Sequence, residues 1–154
     1  MSALLEIARH YALADAAFEA TETEAFENND DTAYDNARLA RDRNDQAWFL
    51  YLFTRFEEKV NHSSRSLLTT RLQTAPDWSE RRIWQAWSRI DIPDIAFLSK
   101  VEVLTDKSKH DYATIKTYYE GRNTIAHGGE WEVEFFVPNV AQTMNDVSQR
   151  FVTN

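Results

Sequence analysis

The sequence predicts an all-α protein, an up-and-down bundle of five to six helices with a very long second helix. Two observations carry this. Glycine and proline number three each in 154 residues, whereas a sandwich or barrel needs a turn about every 8–12 residues. Apolar residues also recur at spacings of three and four over long stretches, the period of a helix with one buried face. The length fits a single domain over residues 1–154, large enough to bury a core without a disulfide or metal staple.

The first helix is expected over residues 3–26, where Leu4, Ile7, Ala8, Tyr11, Ala14 and Phe18 form one stripe. Asp15 is the polar intrusion at its edge. Asn28-Asn29-Asp30-Asp31 breaks the helix, and Asp31 is the expected N-cap of the next. That second helix runs from about 32 to the low 70s without an internal Gly or Pro. Its first half is polar, from Asp35 to Asp45, and either protrudes or packs on a partner. Its second half, Trp48, Phe49, Tyr51, Leu52, Phe53, Phe56 and Val60, is dense enough to be buried on more than one side.

Asp77 opens a short helix near 78–89, rich in tryptophan (Trp78, Trp84 and Trp87), which Ile92-Pro93 breaks. Asp94 to Leu104 is the next short helix, followed by a polar turn at Thr105-Asp106-Lys107. Ser108, with Asp111 three residues on, resembles a capping box for a helix running through Tyr112, Ile115 and Tyr118 to His127. Gly121 lies inside that helix, either merely tolerated at some cost or marking a close approach. Gly128-Gly129 ends it as a left-handed cap. Residues 131–137 read as an extended connector. A last helix starts at Pro138 or Asn139, with Val140, Met144, Val147 and Phe151 inward.

Composition removes several functions. There is no cysteine, hence no thiol catalysis and no disulfide. Net charge is −8, the wrong sign for a non-specific binder of long duplex, though a local basic cleft needs only a few residues. No Gly-rich phosphate loop, His-Glu-x-x-His or Gly-x-Ser-x-Gly occurs. His10, His62, His110 and His127 are scattered, so neither a metal site nor a cofactor is expected. No apolar run reaches the roughly 20 residues of a membrane span. The first residues lack the basic and apolar parts of a signal peptide, and the expectation is a soluble cytoplasmic protein.

What remains is Arg122-Asn123-Thr124-Ile125-Ala126-His127 at the end of a helix. A guanidinium grips phosphate oxygens in fixed geometry, and an imidazole moves protons near neutral pH. With a ribose 2′-hydroxyl as nucleophile, that pair is a minimum kit for cleaving a phosphodiester. Asn123 and His127 are four residues apart and share a face, so Asn123 either orients the imidazole or contacts substrate. Arg122 and His127 are five apart, which turns them about 140° from each other on an ideal helix. Either a loosened last turn or a second copy of the helix across a two-fold axis would bring them together. The competing reading makes both residues caps that complement the helix dipole.

Arg-Asn-x-Ile-Ala-His-Gly at the end of a late helix, in an all-helical chain of this length, resembles the HEPN superfamily, whose hallmark is Arg-x(4–6)-His. The style is closest to toxin-like or RiboL-PSP-type members. The resemblance implies a metal-independent endoribonuclease of toxin or defence type, acting on RNA as a homodimer, with an antitoxin protein as a possible partner. Arg122 and His127 match the catalytic pair and Asn123 the polar residue beside the Arg. Glu57 or Glu58 is the candidate for the acidic residue that the family tends to carry on an earlier helix. One position departs: members paired with minimal nucleotidyltransferase antitoxins often have Tyr two residues after the His, where this chain has Gly129. The alternative is a non-catalytic HEPN-like module that binds a nucleotide or a protein.

Tyr119, or its neighbour Tyr118, could stack on a base as a supporting residue, with core packing as the role of at least one of them. Trp84 and Trp87 are expected in a core or dimer contact, and His62 is expected to be structural. Arg41/Arg43 and Arg81-Arg82 either line an RNA channel or sit on solvated surface.

Overall fold

A computed structural model describes residues 2–152. The all-α class holds: six helices form, and no strand occurs among the described residues. They are α1 (Ala3–Glu27), α2 (Asp31–Thr74), α3 (Trp78–Trp87), α4 (Phe97–Leu104), α5 (His110–Ala126) and α6 (Val137–Gln149), with a 3-10 turn at Ile92–Asp94. None of the described helices is long and apolar enough to cross a membrane. The chain divides into two compact units. One comprises residues up to Arg55 with Gly121–Asn145, the other Phe56–Glu120 with the segment from Asp146 on. The boundaries fall within α2, α5 and α6.

In the first unit, α1 and the start of α2 form a helical hairpin. Asn29 adopts φ 51°, the left-handed conformation that Asn tolerates. The N–H of Asp30 reaches the carbonyl of Ala25, and that of Asn29 the carbonyl of Phe26, which closes α1 with a Schellman motif. The cap of α2 is Asp30 and not the expected Asp31. The Asp30 carboxylate accepts the N–H of Ala33 at 2.9 Å, because the chain leaves the left-handed turn one residue earlier than the acidic run indicates.

The polar half of α2 packs on α1. Arg41 donates two bonds to the Asp15 carboxylate, at 2.7 and 2.9 Å, and one to Glu22 at 3.1 Å. The polar intrusion in the first stripe is therefore one half of an ion pair. One helix turn further, the Tyr11 hydroxyl donates to Asp45 Oδ1 at 2.9 Å. Burial, and then the Asp45 bond, push the Tyr11 hydroxyl well above the ordinary phenol range. The apolar half of α2 does not bury all round. Phe49, Leu52 and Phe53 are fully buried, while Tyr51 is exposed and Trp48 half-buried, so a single stripe faces the core. Phe49 meets Trp131 and Phe135 at centroid distances of 5.1 and 5.0 Å.

In the second unit, Phe56 and Val60 continue the stripe, with Phe97 and Phe151 at 6.4 and 6.1 Å from Phe56. Trp84 and Trp87 pack on Leu68, Ile92 and Ile95, the first of the two roles, core or dimer contact, expected of them. Asp77 caps α3 through the N–H of Glu80 at 2.8 Å. The helix expected from Asp94 is delayed to Phe97 by the 3-10 turn that Pro93 opens. The Ser108 capping box does not form. Asp106 holds both the N–H and the hydroxyl of Ser108, and Asp111 is taken by a bidentate bond from Arg150, so α5 starts at His110.

Candidate functional site

The motif occupies the last turn of α5, in the first unit. Its end is built by the two glycines. Gly128 has φ +77°, a conformation that costs a side chain about 1–2 kcal/mol. It allows Gly129 N–H to reach the Thr124 carbonyl at 2.9 Å and Gly128 N–H the Ile125 carbonyl at 3.0 Å, a second Schellman motif. His127 thus becomes the capping residue, exposed to solvent, with its N–H still bonded to the Asn123 carbonyl at 3.1 Å. The main-chain bonding of the helix therefore runs on to His127, one residue past the end of α5.

Arg122 and Asn123 are half-buried. Arg122 Nη1 donates to Asn123 Oδ1 at 3.0 Å, so the amide oxygen holds the guanidinium. One of the five donors of the fork is used in this bond. Gly121, just before Arg122, is buried, and its Cα lies against the Trp131 indole. The sequence allows a close approach at Gly121 but does not show what approaches.

Beside the motif a groove of about 710 Å³ runs between α2 and the chain after α5. One wall is the i, i+3, i+4, i+7 face of α2: Leu39, Asp42, Arg43 and Gln46. The other is Gly128 through Phe135, which carries neither helix nor strand, as expected of the connector. Neither Arg122 nor His127 lines it. Its rim is acidic, with Asp42, Glu130, Glu132 and Glu134 against Arg43.

The other sequence candidates lie apart from this arrangement in role. Glu57, Glu58 and Tyr119 belong to the second unit. Tyr119 is half-buried and stacks on Phe97 at 5.0 Å, which occupies one ring face. Glu57 is half-buried and provides a favourable field at Lys100, and Glu58 is exposed. His62 is exposed on α2. Arg41 lines no channel, because α1 carboxylates take its charge. Arg81 donates to the Ala75 carbonyl at 3.2 Å, and Arg82 lies 4.8 Å over the Trp78 ring.

Sequence reasoning missed Lys100. Its side chain is buried, with Nζ donating to Asn61 Oδ1 at 2.7 Å and to the Ile92 carbonyl at 3.2 Å. Burial holds the ammonium below the ordinary lysine range, against the opposing pull of Glu57 and Asp94. The signal was present: Phe97, Lys100, Val101 and Leu104 share one helical stripe.

No protein-family model matches the chain, and no curated protein or solved structure matches it significantly.

Proposed function

We propose that the chain is a metal-independent endoribonuclease of the HEPN type, with Arg122 and His127 acting across a two-fold dimer. The observations that carry this reading are the exposure of His127 one residue before the left-handed cap and, five residues earlier in the chain, a guanidinium held by Asn123. A pair serving only to end the helix would be redundant, because Gly128 and Gly129 already satisfy the Ile125 and Thr124 carbonyls.

In the proposed reaction an imidazole of His127 takes the proton of a ribose 2′-hydroxyl. The 2′-oxygen attacks phosphorus, and the bond from phosphorus to the 5′-oxygen breaks. That 5′-oxygen leaves as a hydroxyl after receiving a proton from an imidazolium. Arg122 holds the equatorial oxygens as negative charge develops on them. The products are a 2′,3′-cyclic phosphate, which water opens to a 3′-phosphate, and a 5′-hydroxyl. The pair is about 140° apart on one helix, so the two groups are supplied by two copies of α5. A toxin or defence role, with a neutralising protein partner, follows from the same reading. The chemistry is tested with an RNA substrate carrying a single 2′-deoxyribose at the cleaved position. The expected result is loss of cleavage at that position alone, and cleavage there would remove the 2′-hydroxyl mechanism.

The acidic groove favours a second reading, a non-catalytic module that binds a protein. The two separate in one assay, because only the first produces cyclic-phosphate ends that depend on His127.

A further inference from the structure

The groove beside the motif has the composition of a peptide site of one kind. Trp131 and Phe135 are stacked at 5.1 Å and half-buried along it, so part of its floor is apolar. Its rim carries the exposed carboxylates of Asp42, Glu130, Glu132 and Glu134. Apolar floor and anionic rim together match a Lys or Arg side chain, whose methylene stem covers apolar surface while its head meets carboxylates. The volume, about 710 Å³, lies within the ~300–1,000 Å³ of clefts that enclose a bound ligand. The wall from 129 to 136 carries neither helix nor strand and bends at Val133.

We propose that this groove docks a Lys- and Arg-bearing segment of a partner protein. An RNA strand is disfavoured here, because its phosphates would face the carboxylates of the rim. A metal ion is also a poor match: no three His, Asp or Glu side chains among the described residues converge to hold one. The proposal does not depend on the ribonuclease reading, since Arg122 and His127 do not line the groove. Its readout is binding and not cleavage.

The test is fluorescence anisotropy of the full chain with a short labelled peptide alternating Lys or Arg with Val or Leu. Two variants of equal charge change are compared. Glu130→Lys/Glu132→Lys/Glu134→Lys alters the groove. Glu6→Lys/Glu24→Lys/Glu27→Lys alters exposed positions of α1 away from it. Circular dichroism verifies that both keep their helix content. The expected result is saturable binding by the wild type, weakened roughly tenfold or more by the groove variant and within about twofold for the control. Equal weakening by both variants, or no saturable binding by the wild type, overturns the proposal. Displacement of the peptide by spermine at matched charge would assign the groove to a small polycation and overturn it as well.

Discussion

Gly121 and Trp131 are packed so closely that a Cβ at position 121 would clash with the ring carbons of the Trp131 indole. The contact ties the helix turn that carries Arg122 to the connector that follows His127. Trp131 in turn stacks on Phe135 and meets Phe49 of α2.

Gly121→Ala is therefore expected to destabilise the fold by about 1–3 kcal/mol through overpacking, although Ala is the better helix former by ~1 kcal/mol. In a Trp131→Ala background the same change should cost little or become stabilising. Urea unfolding of the four chains in this double-mutant cycle measures the coupling. Additive effects would show that the indole is not what excludes a side chain.

Gly128→Ala places a Cβ in the left-handed cap and should cost about 1 kcal/mol, with Gly128→Asn losing less. Thermal unfolding at fixed pH ranks the two. Equal loss from both would show that the cap conformation is not the source of the cost.

The Tyr11–Asp45 pair predicts a pH dependence. The folded Tyr11 hydroxyl titrates above its ordinary value, so the protonated phenol is favoured by folding. Its contribution is fully present below the unfolded value of about 10 and is lost as pH rises through the folded value. The stability difference between wild type and Tyr11→Phe should therefore shrink above about pH 10. Asp45 is itself held above the ordinary carboxylate range by burial, which the Tyr11 bond opposes. Removing the hydroxyl should raise the Asp45 value further. NMR titration of Asp45 reads that shift, and a downward move would contradict the assignment.

At the acid end the signs reverse. The Arg150 bond holds Asp111 below the ordinary carboxylate range. Its contribution is present above about pH 3.9 and disappears as pH falls through the lower folded value. Arg150→Ala should return the Asp111 value toward normal, and the variant and wild type should converge in stability at low pH. An unchanged Asp111 titration in the variant would rule out Arg150 as the cause.

How far these features were legible in the sequence depends on their range along the chain. Both helix ends were marked locally, by the run Asn28-Asn29-Asp30-Asp31 and by Gly128-Gly129, because a Schellman motif needs only the residues that form it. Asp15 stood out as a polar residue at a stripe edge, yet its partner Arg41 lies 26 residues away on another helix. The same limit hid Trp131 behind Gly121. The Ser108 box failed because Asp111 had a stronger claimant in Arg150, 39 residues on. Lys100 was passed over as a charged residue in a short helix, although periodicity alone puts it on the buried stripe. At the motif, residue types and spacing were legible. The bond between Arg122 and Asn123 and the acidic groove were not, since both require side-chain placement.

The proposed sharing of the site between two copies can be tested by complementation. Arg122→Ala and His127→Ala chains should each be inactive alone. Mixed after partial denaturation and refolding, they should recover cleavage, because each mixed dimer carries one intact Arg122 facing one intact His127. Recovery absent from a mixture shown by mass to contain mixed dimers would contradict a site shared between copies.

The most direct measurement is cleavage of RNA in excess EDTA by wild type and by His127→Ala, with circular dichroism and mass confirming unchanged fold and assembly. The expected result is cleavage by the wild type with cyclic-phosphate ends, and a fall of at least about 100-fold on removing the imidazole. Equal cleavage by the two chains, or none by the wild type, would contradict the proposed ribonuclease.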